Sequence, residues 1–134
     1  MSDYTVLRAA DAPDYTGEHP GAFLGYARPM ASEQLAVNVR VLEPGMTHVP
    51  PGGDPTRGHS HRTIEEIYFV LDGELTIKLG DDVLKLGPRD AVLIPAGTPR
   101  STRNDSDSEA AFLMISTKVD DIRAETVGHE EFWA

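Results

Sequence analysis

The chain has 134 residues, 40% of them hydrophobic and 25% charged, which suits a single domain with a core of useful size. It has no cysteine, which excludes disulfides, thiolate or iron–sulfur ligation and cysteine nucleophiles, and fits a cytoplasmic protein. With 22 acidic against 12 basic residues, its net charge of −10 repels phosphate backbones and anionic membranes, so neither nucleic acid nor membrane is an expected partner.

Met1 to Tyr4 has no leader-like character, and the longest apolar run, Ala110 to Ile115, is too short to span a bilayer. Within residues 1–30, Tyr4 to Ala9 and Ala22 to Arg28 read as candidate edge strands. Leu35, Val37, Val39 and Val41 alternate with Ala36, Asn38 and Arg40, which predicts a strand with one buried and one wetter face. Pro44-Gly45 ends it, and a loop rich in proline and glycine, Pro50 to Gly58, leads into a pair of histidines. Ile67 to Leu71 is uninterruptedly apolar and predicts a strand covered on both faces. Asp72-Gly73 is a hairpin signal, followed by alternation of Leu75, Ile77 and Leu79 with polar residues.

Gly80-Asp81-Asp82 turns the chain into Val83 to Leu86; Gly87-Pro88 precedes Ala91 to Ile94, and Pro95-Ala96-Gly97 is a further turn. Arg100 to Arg103 reads as a polar strand, Asn104 to Ser108 as a turn and Glu109 to Thr117 as the last clear strand. Residues 118–134 read as a tail, either a short helix or coil packed on the rest. No linker or repeat divides the chain, and short strands between turns predict an all-β barrel or sandwich in one domain, residues 1–134.

His59 and His61 are two apart, so on one strand their imidazoles share a face. Glu66 is at odd spacing from them and reaches that face only if a turn through Arg62 to Glu65 starts a new strand. Two imidazoles and a carboxylate then converge, a ligand set for Fe(II), Mn(II), Ni(II) or Zn(II) with open positions for water, substrate or oxygen. Tyr68 shares the face of Glu66 by alternation and is a candidate pocket residue, with an ordinary core tyrosine as the competing reading.

The spacing Gly53, five residues, His59-x-His61, four residues, Glu66, six residues, Gly73 resembles the first sequence motif of the cupin superfamily. The second motif is present in Gly87, Pro95-Ala96-Gly97 and Asn104, but Arg100 stands where its histidine belongs. The two motifs form a core over residues 53–104, and the chain is most similar to compact single-domain cupins that carry this arginine. The resemblance implies a double-stranded β-helix, a jelly-roll-like barrel, with the site inside. It also implies a homodimer, and His59, His61 and Glu66 as ligands of a divalent transition metal. No nucleotide cofactor is expected.

A guanidinium about 5 Å from a divalent ion is repelled by about 7 kcal/mol at an effective dielectric of about 20, with Glu66 offsetting about half. Arg100 therefore has three open dispositions. It turns outward and leaves a three-ligand site, it binds an anionic substrate, or it pairs with Glu66 and displaces the metal.

Other polar clusters read more plainly. His48 is close in sequence and could supply a ligand, but a loop histidine is the simpler reading. His19 reads as solvated, and His129-Glu130-Glu131 lacks the second histidine of a zinc-protease helix. The acidic run Asp105 to Glu109 reads as a hydrated turn, and Phe112 and Met114 as core.

The leading functional expectation is a metal-dependent small-molecule enzyme of oxygenase or isomerase/lyase type, with Arg100 and Tyr68 on the substrate. The alternative is a non-catalytic cupin that binds a small molecule, with Arg100 as anion anchor and no essential metal.

Overall fold

Among the described residues ten strands follow one another, separated by the glycine and proline turns that the sequence advertises. The computed structural model describes residues 3–133; Met1, Ser2 and Ala134, the last residue of the expected tail, lie outside the described residues. The strands are β1 (Ala22–Gly25), β2 (Leu35–Leu42), β3 (Gly58–His61), β4 (Glu66–Asp72) and β5 (Leu75–Leu79), then β6 (Asp82–Leu86), β7 (Ala91–Ile94), β8 (Arg100–Arg103), β9 (Ala110–Thr117) and β10 (Thr126–His129). A single short helix, α1 (Ile122–Glu125), precedes β10. No helix among the described residues is long and apolar enough to cross a membrane.

The strands form two antiparallel five-stranded sheets, in the orders β1-β2-β9-β4-β7 and β10-β3-β8-β5-β6. Apart from the β1–β2 and β5–β6 pairs, consecutive strands lie in opposite sheets, which is the double-stranded β-helix that the resemblance implies. Gly73 is needed at the β4–β5 turn on two counts: its φ is +73°, and a Cβ there would lie 2.2 Å from the Glu109 carbonyl.

The core fills one end of the barrel, with Leu42, Val70, Leu75, Ile77, Ile94 and Phe112 buried to within 1% of complete. These come from β2, β4, β5, β7 and β9, so strands of both sheets meet there.

Four expectations need correction. Tyr4 to Ala9 is not a strand; its end runs into a single 3-10 turn at Ala9–Asp11. The tail is neither a simple helix nor coil, because β10 adds an edge strand to β3, with Thr126 opposite His61 and Gly128 opposite His59.

The faces of β2 are also reversed. Asn38 and Arg40 line the barrel cavity, whereas Leu35 is 60% exposed and Val37 and Val39 pair with Ile115 and Leu113 on the outside. Alternation reports two faces but not which is inside, and here the inside holds a polar cavity.

β4, expected to be covered on both faces, is covered by the chain on one. Tyr68 and Val70 are buried inward, while Ile67 and Leu71 stay 39% and 44% exposed on the outer face. Across that face Ile67 sits beside Leu93 and Ile115, and Phe69 beside Leu113.

The outer face of the second sheet is polar and is covered by the tail. The Trp133 indole donates to Ser101 Oγ at 2.6 Å, and the Arg103 guanidinium lies 3.9 Å from the Trp133 ring centroid. Lys78 donates to the Phe132 carbonyl and lies over its ring, and Phe132 packs on Gly58, where a Cβ would clash.

Candidate metal centre

β3 places His59 and His61 on the inward face, with Gly58 and Ser60 outward against the tail. The chain then turns through Arg62 to Glu65, as the odd spacing requires, and β4 opens with Glu66 directed back inward.

The tail holds that turn. One Glu125 carboxylate oxygen accepts from the Thr63 and Ile64 amides at 2.5 and 2.9 Å, and the Thr63 hydroxyl lies 2.9 Å away. The Arg62 amide donates to the Glu125 carbonyl at 2.9 Å. These bonds, led by that from the Thr63 amide, hold the Glu125 carboxyl below its ordinary range.

One ligand-type atom each from His59, His61 and Glu66 lies within 4.8 Å of the others. All three line a cavity of about 290 Å³ at the open end of the barrel. The Thr126 hydroxyl donates to the Ile122 carbonyl at 2.6 Å, so its oxygen is left to accept from His61 Nδ1 at 3.3 Å. That assigns a proton to His61 Nδ1 and leaves Nε2 directed at Glu66. Nε2 lies 3.0 Å from Glu66 Oε1. A ring nitrogen and a carboxylate oxygen at that distance share a proton or flank a cation, and the His59–His61–Glu66 donor set fits a divalent transition metal.

His59 lies edge-on to His61, with ring centroids 5.1 Å apart. Burial, and then the neighbouring charges of His48 and Arg100, hold its pKa down to about 3. It is therefore neutral near pH 7, the state a metal ligand needs.

His48 lies in a loop, as expected, but in the cavity wall rather than at the surface. Thr47 bridges to Arg103 at the end of β8, which carries His48 into the cavity wall with its ring 5.3 Å from that of His59. Burial brings its pKa down to about 4.

Tyr68 lines the cavity and is 3% exposed, with its ring 5.4 Å from Phe112. Burial, reinforced by the Glu66 charge, pushes its hydroxyl well above the ordinary tyrosine range. Phe112 and Met114, expected as core, border both core and cavity.

Arg100 does not turn outward. It is 0% exposed and stands opposite His59 in the β3–β8 register, two residues before the cavity residue Thr102 on the same strand, and does not itself line the cavity. Nor does it pair with Glu66, whose close partner is His61. None of its three guanidinium nitrogens has a hydrogen-bond partner among the described residues.

Sequence reasoning missed Arg40, Thr126 and Glu125. Arg40 carried a signal, as a charged residue in an otherwise apolar strand; the tail residues carried none, because their role depends on β10 pairing with β3. His19 lies away from the histidine group, in the wall of a neighbouring outer pocket, and His129 bonds Ser60 on the outer face.

A family model described as "Cupin domain" (Cupin_2) matches residues 45–116. Over 68 residues the chain is 34% identical to the uncharacterised protein MJ1618 of Methanocaldococcus jannaschii, covering 51% of this chain and 54% of that protein. Over 83 residues it is 35% identical to beta-D-galactosidase Rv1717 of Mycobacterium tuberculosis, covering 62% of this chain and 64% of that one. The match thus spans between half and two thirds of these curated relatives. Among solved structures it is similar to a cupin protein, BF4112 of Bacteroides fragilis, with a TM-score of 0.69 at 24% identity, covering 90% of this chain and 89% of that one. Barrel topology, motif spacing and the family match over residues 45–116 agree: the chain belongs to the cupin family.

Proposed function

We propose that the protein is a metal-dependent enzyme acting on a small anionic or carbonyl-bearing molecule, with His59, His61 and Glu66 holding one divalent transition metal. The observation that carries this reading is the convergence of His59, His61 and Glu66 in one cavity, with a ligand-type atom of each within 4.8 Å of the others. A metal there supplies Lewis-acid polarisation of a bound oxygen or a site for O₂, which suits oxygenase or isomerase/lyase chemistry. Tyr68 and Arg100 are the proposed substrate-facing groups. The resemblance to a beta-D-galactosidase supports an oxygen-rich small ligand and leaves the reaction open.

The test is metal analysis of untagged protein after reconstitution, beside a His59→Ala/His61→Ala variant. Wild type should hold about one metal per chain and the variant almost none. A wild type far below one would sink the proposal. A metal-free binder is the second reading, favoured by the unpartnered Arg100 guanidinium, which would then anchor the ligand's anion.

The assembly proposed is a homodimer through the apolar outer face of the first sheet, where Ile67, Leu71 and Leu93 remain exposed. Light scattering should give a dimer for wild type and a monomer for Leu93→Lys; a monomeric wild type contradicts it.

A further inference from the structure

Outside the histidine group lies a second, larger pocket of about 730 Å³. Its wall carries Arg28, Arg40, Arg123 and His19, and no carboxylate residue lines it. Basic residues are outnumbered 12 to 22 in this chain, so three arginines around one pocket run against its overall charge. They come from separate segments: Arg28 follows β1, Arg40 is on β2 and Arg123 is on α1.

None of the three forms an ion pair among the described residues, where the arginine or lysine pairs with carboxylates are Lys85–Glu74 and Arg103–Asp105. Asp14 is the acid whose charge Arg40 feels, but its Oδ1 is occupied by the Thr16 amide and hydroxyl and the Phe23 amide at 3.0, 2.7 and 3.0 Å. The Arg40 guanidinium gives one bond, to the His48 carbonyl at 2.6 Å, while its buried Nε has no partner.

The outer pocket adjoins the inner cavity. Phe23, Arg40 and Ile122 line both, and Arg40 stands between them with its guanidinium 5.0 Å from the Phe23 ring centroid. Met46 and Val49 give the outer pocket an apolar wall. Apolar walls with a cationic rim match a ligand that has an apolar body and one oxyanion.

We propose that the outer pocket binds the oxyanion end of an amphipathic small molecule, whose opposite end reaches the His59–His61–Glu66 group. This rests on the small-molecule reading above and narrows it to a ligand charged at one end, gripped by Arg28, Arg40 and Arg123. An anion held here lies on the entrance side of the metal centre, in a place separate from Arg100 beneath His59.

The probes are naphthalene-1-sulfonate and neutral 1-naphthalenemethanol, titrated calorimetrically at low salt into wild type and an Arg28→Gln/Arg123→Gln variant. Both arginines are exposed, and matching thermal midpoints establish that the variant folds. Wild type should prefer the sulfonate by about tenfold, and the variant should reduce the preference to about twofold with neutral affinity unchanged. A wild type without preference, or a variant that keeps it, overturns the proposal. Binding to the apolar outer face of the first sheet would not discriminate between the probes and counts against it.

Chelator-treated wild type should keep the sulfonate preference. Metal loading without sulfonate preference defeats the outer pocket alone; preference without metal loading defeats the metal reading alone.

Discussion

The two ends of the barrel interior are built from the same strands and have opposite characters. β2 sends Leu42 into the closed end and Arg40 into the open one; β4 sends Val70 one way and Glu66 the other. The closed end is apolar and complete. The open end gathers His48, His59, His61 and Glu66, with atoms lacking a hydrogen bond at Arg40 Nε and Glu66 Oε1. Burying such groups costs stability, so the closed end must hold the fold while the open end carries the candidate site.

The largest expected effect comes from breaking the closed end. Leu42→Ala removes a fully buried side chain from a packed cluster, and should cost about 2–5 kcal/mol in urea unfolding. His59→Ala/His61→Ala at the open end should change metal-free stability by less than about 1 kcal/mol, since it removes polar groups that burial disfavours. Equal losses at the two ends would erase the distinction.

Acid should act on the open end. His48 and His59 are neutral when folded, with pKa values of about 4 and about 3, against 6.5 when exposed. Between these values the unfolded chain binds more protons, so their contribution is complete above about pH 6.5 and is lost as pH falls towards the folded values. At pH 5 the loss should be about 2–4 kcal/mol for the pair. Urea midpoints of chelator-treated protein across pH 5–7 measure it, and His48→Asn/His59→Asn should flatten the slope. An unchanged slope would place the protons elsewhere.

Much of the open end was legible because its key ligands are local. His59, His61 and Glu66 sit on consecutive strands, so spacing alone aligns them. Arg40 was assigned to the wet face because an inward-facing polar residue and an outward-facing one write the same alternation. His48, Thr126 and Glu125 reach the site through the Thr47–Arg103 bridge and the β10–β3 pairing, both set by residues distant in sequence. Ile67 to Leu71 was read as covered on both sides from its composition; the chain itself covers one side only.

Arg100 is where the contrast between the ends is sharpest, because it is a charge buried to the depth of the core whose field reaches His59. Arg100→Met keeps the length and apolar stem while removing an unpartnered guanidinium, which should raise stability by about 1–3 kcal/mol in metal-free, anion-free buffer. Its removal also takes away a positive neighbour that disfavours protonation of His59, so the His59 pKa should rise, measurable by NMR titration. A variant that is less stable than wild type in such buffer would mean that the guanidinium is already satisfied in the folded protein. Adding phosphate separates the two roles: an anion anchored on Arg100 stabilises wild type and leaves Arg100→Met unmoved.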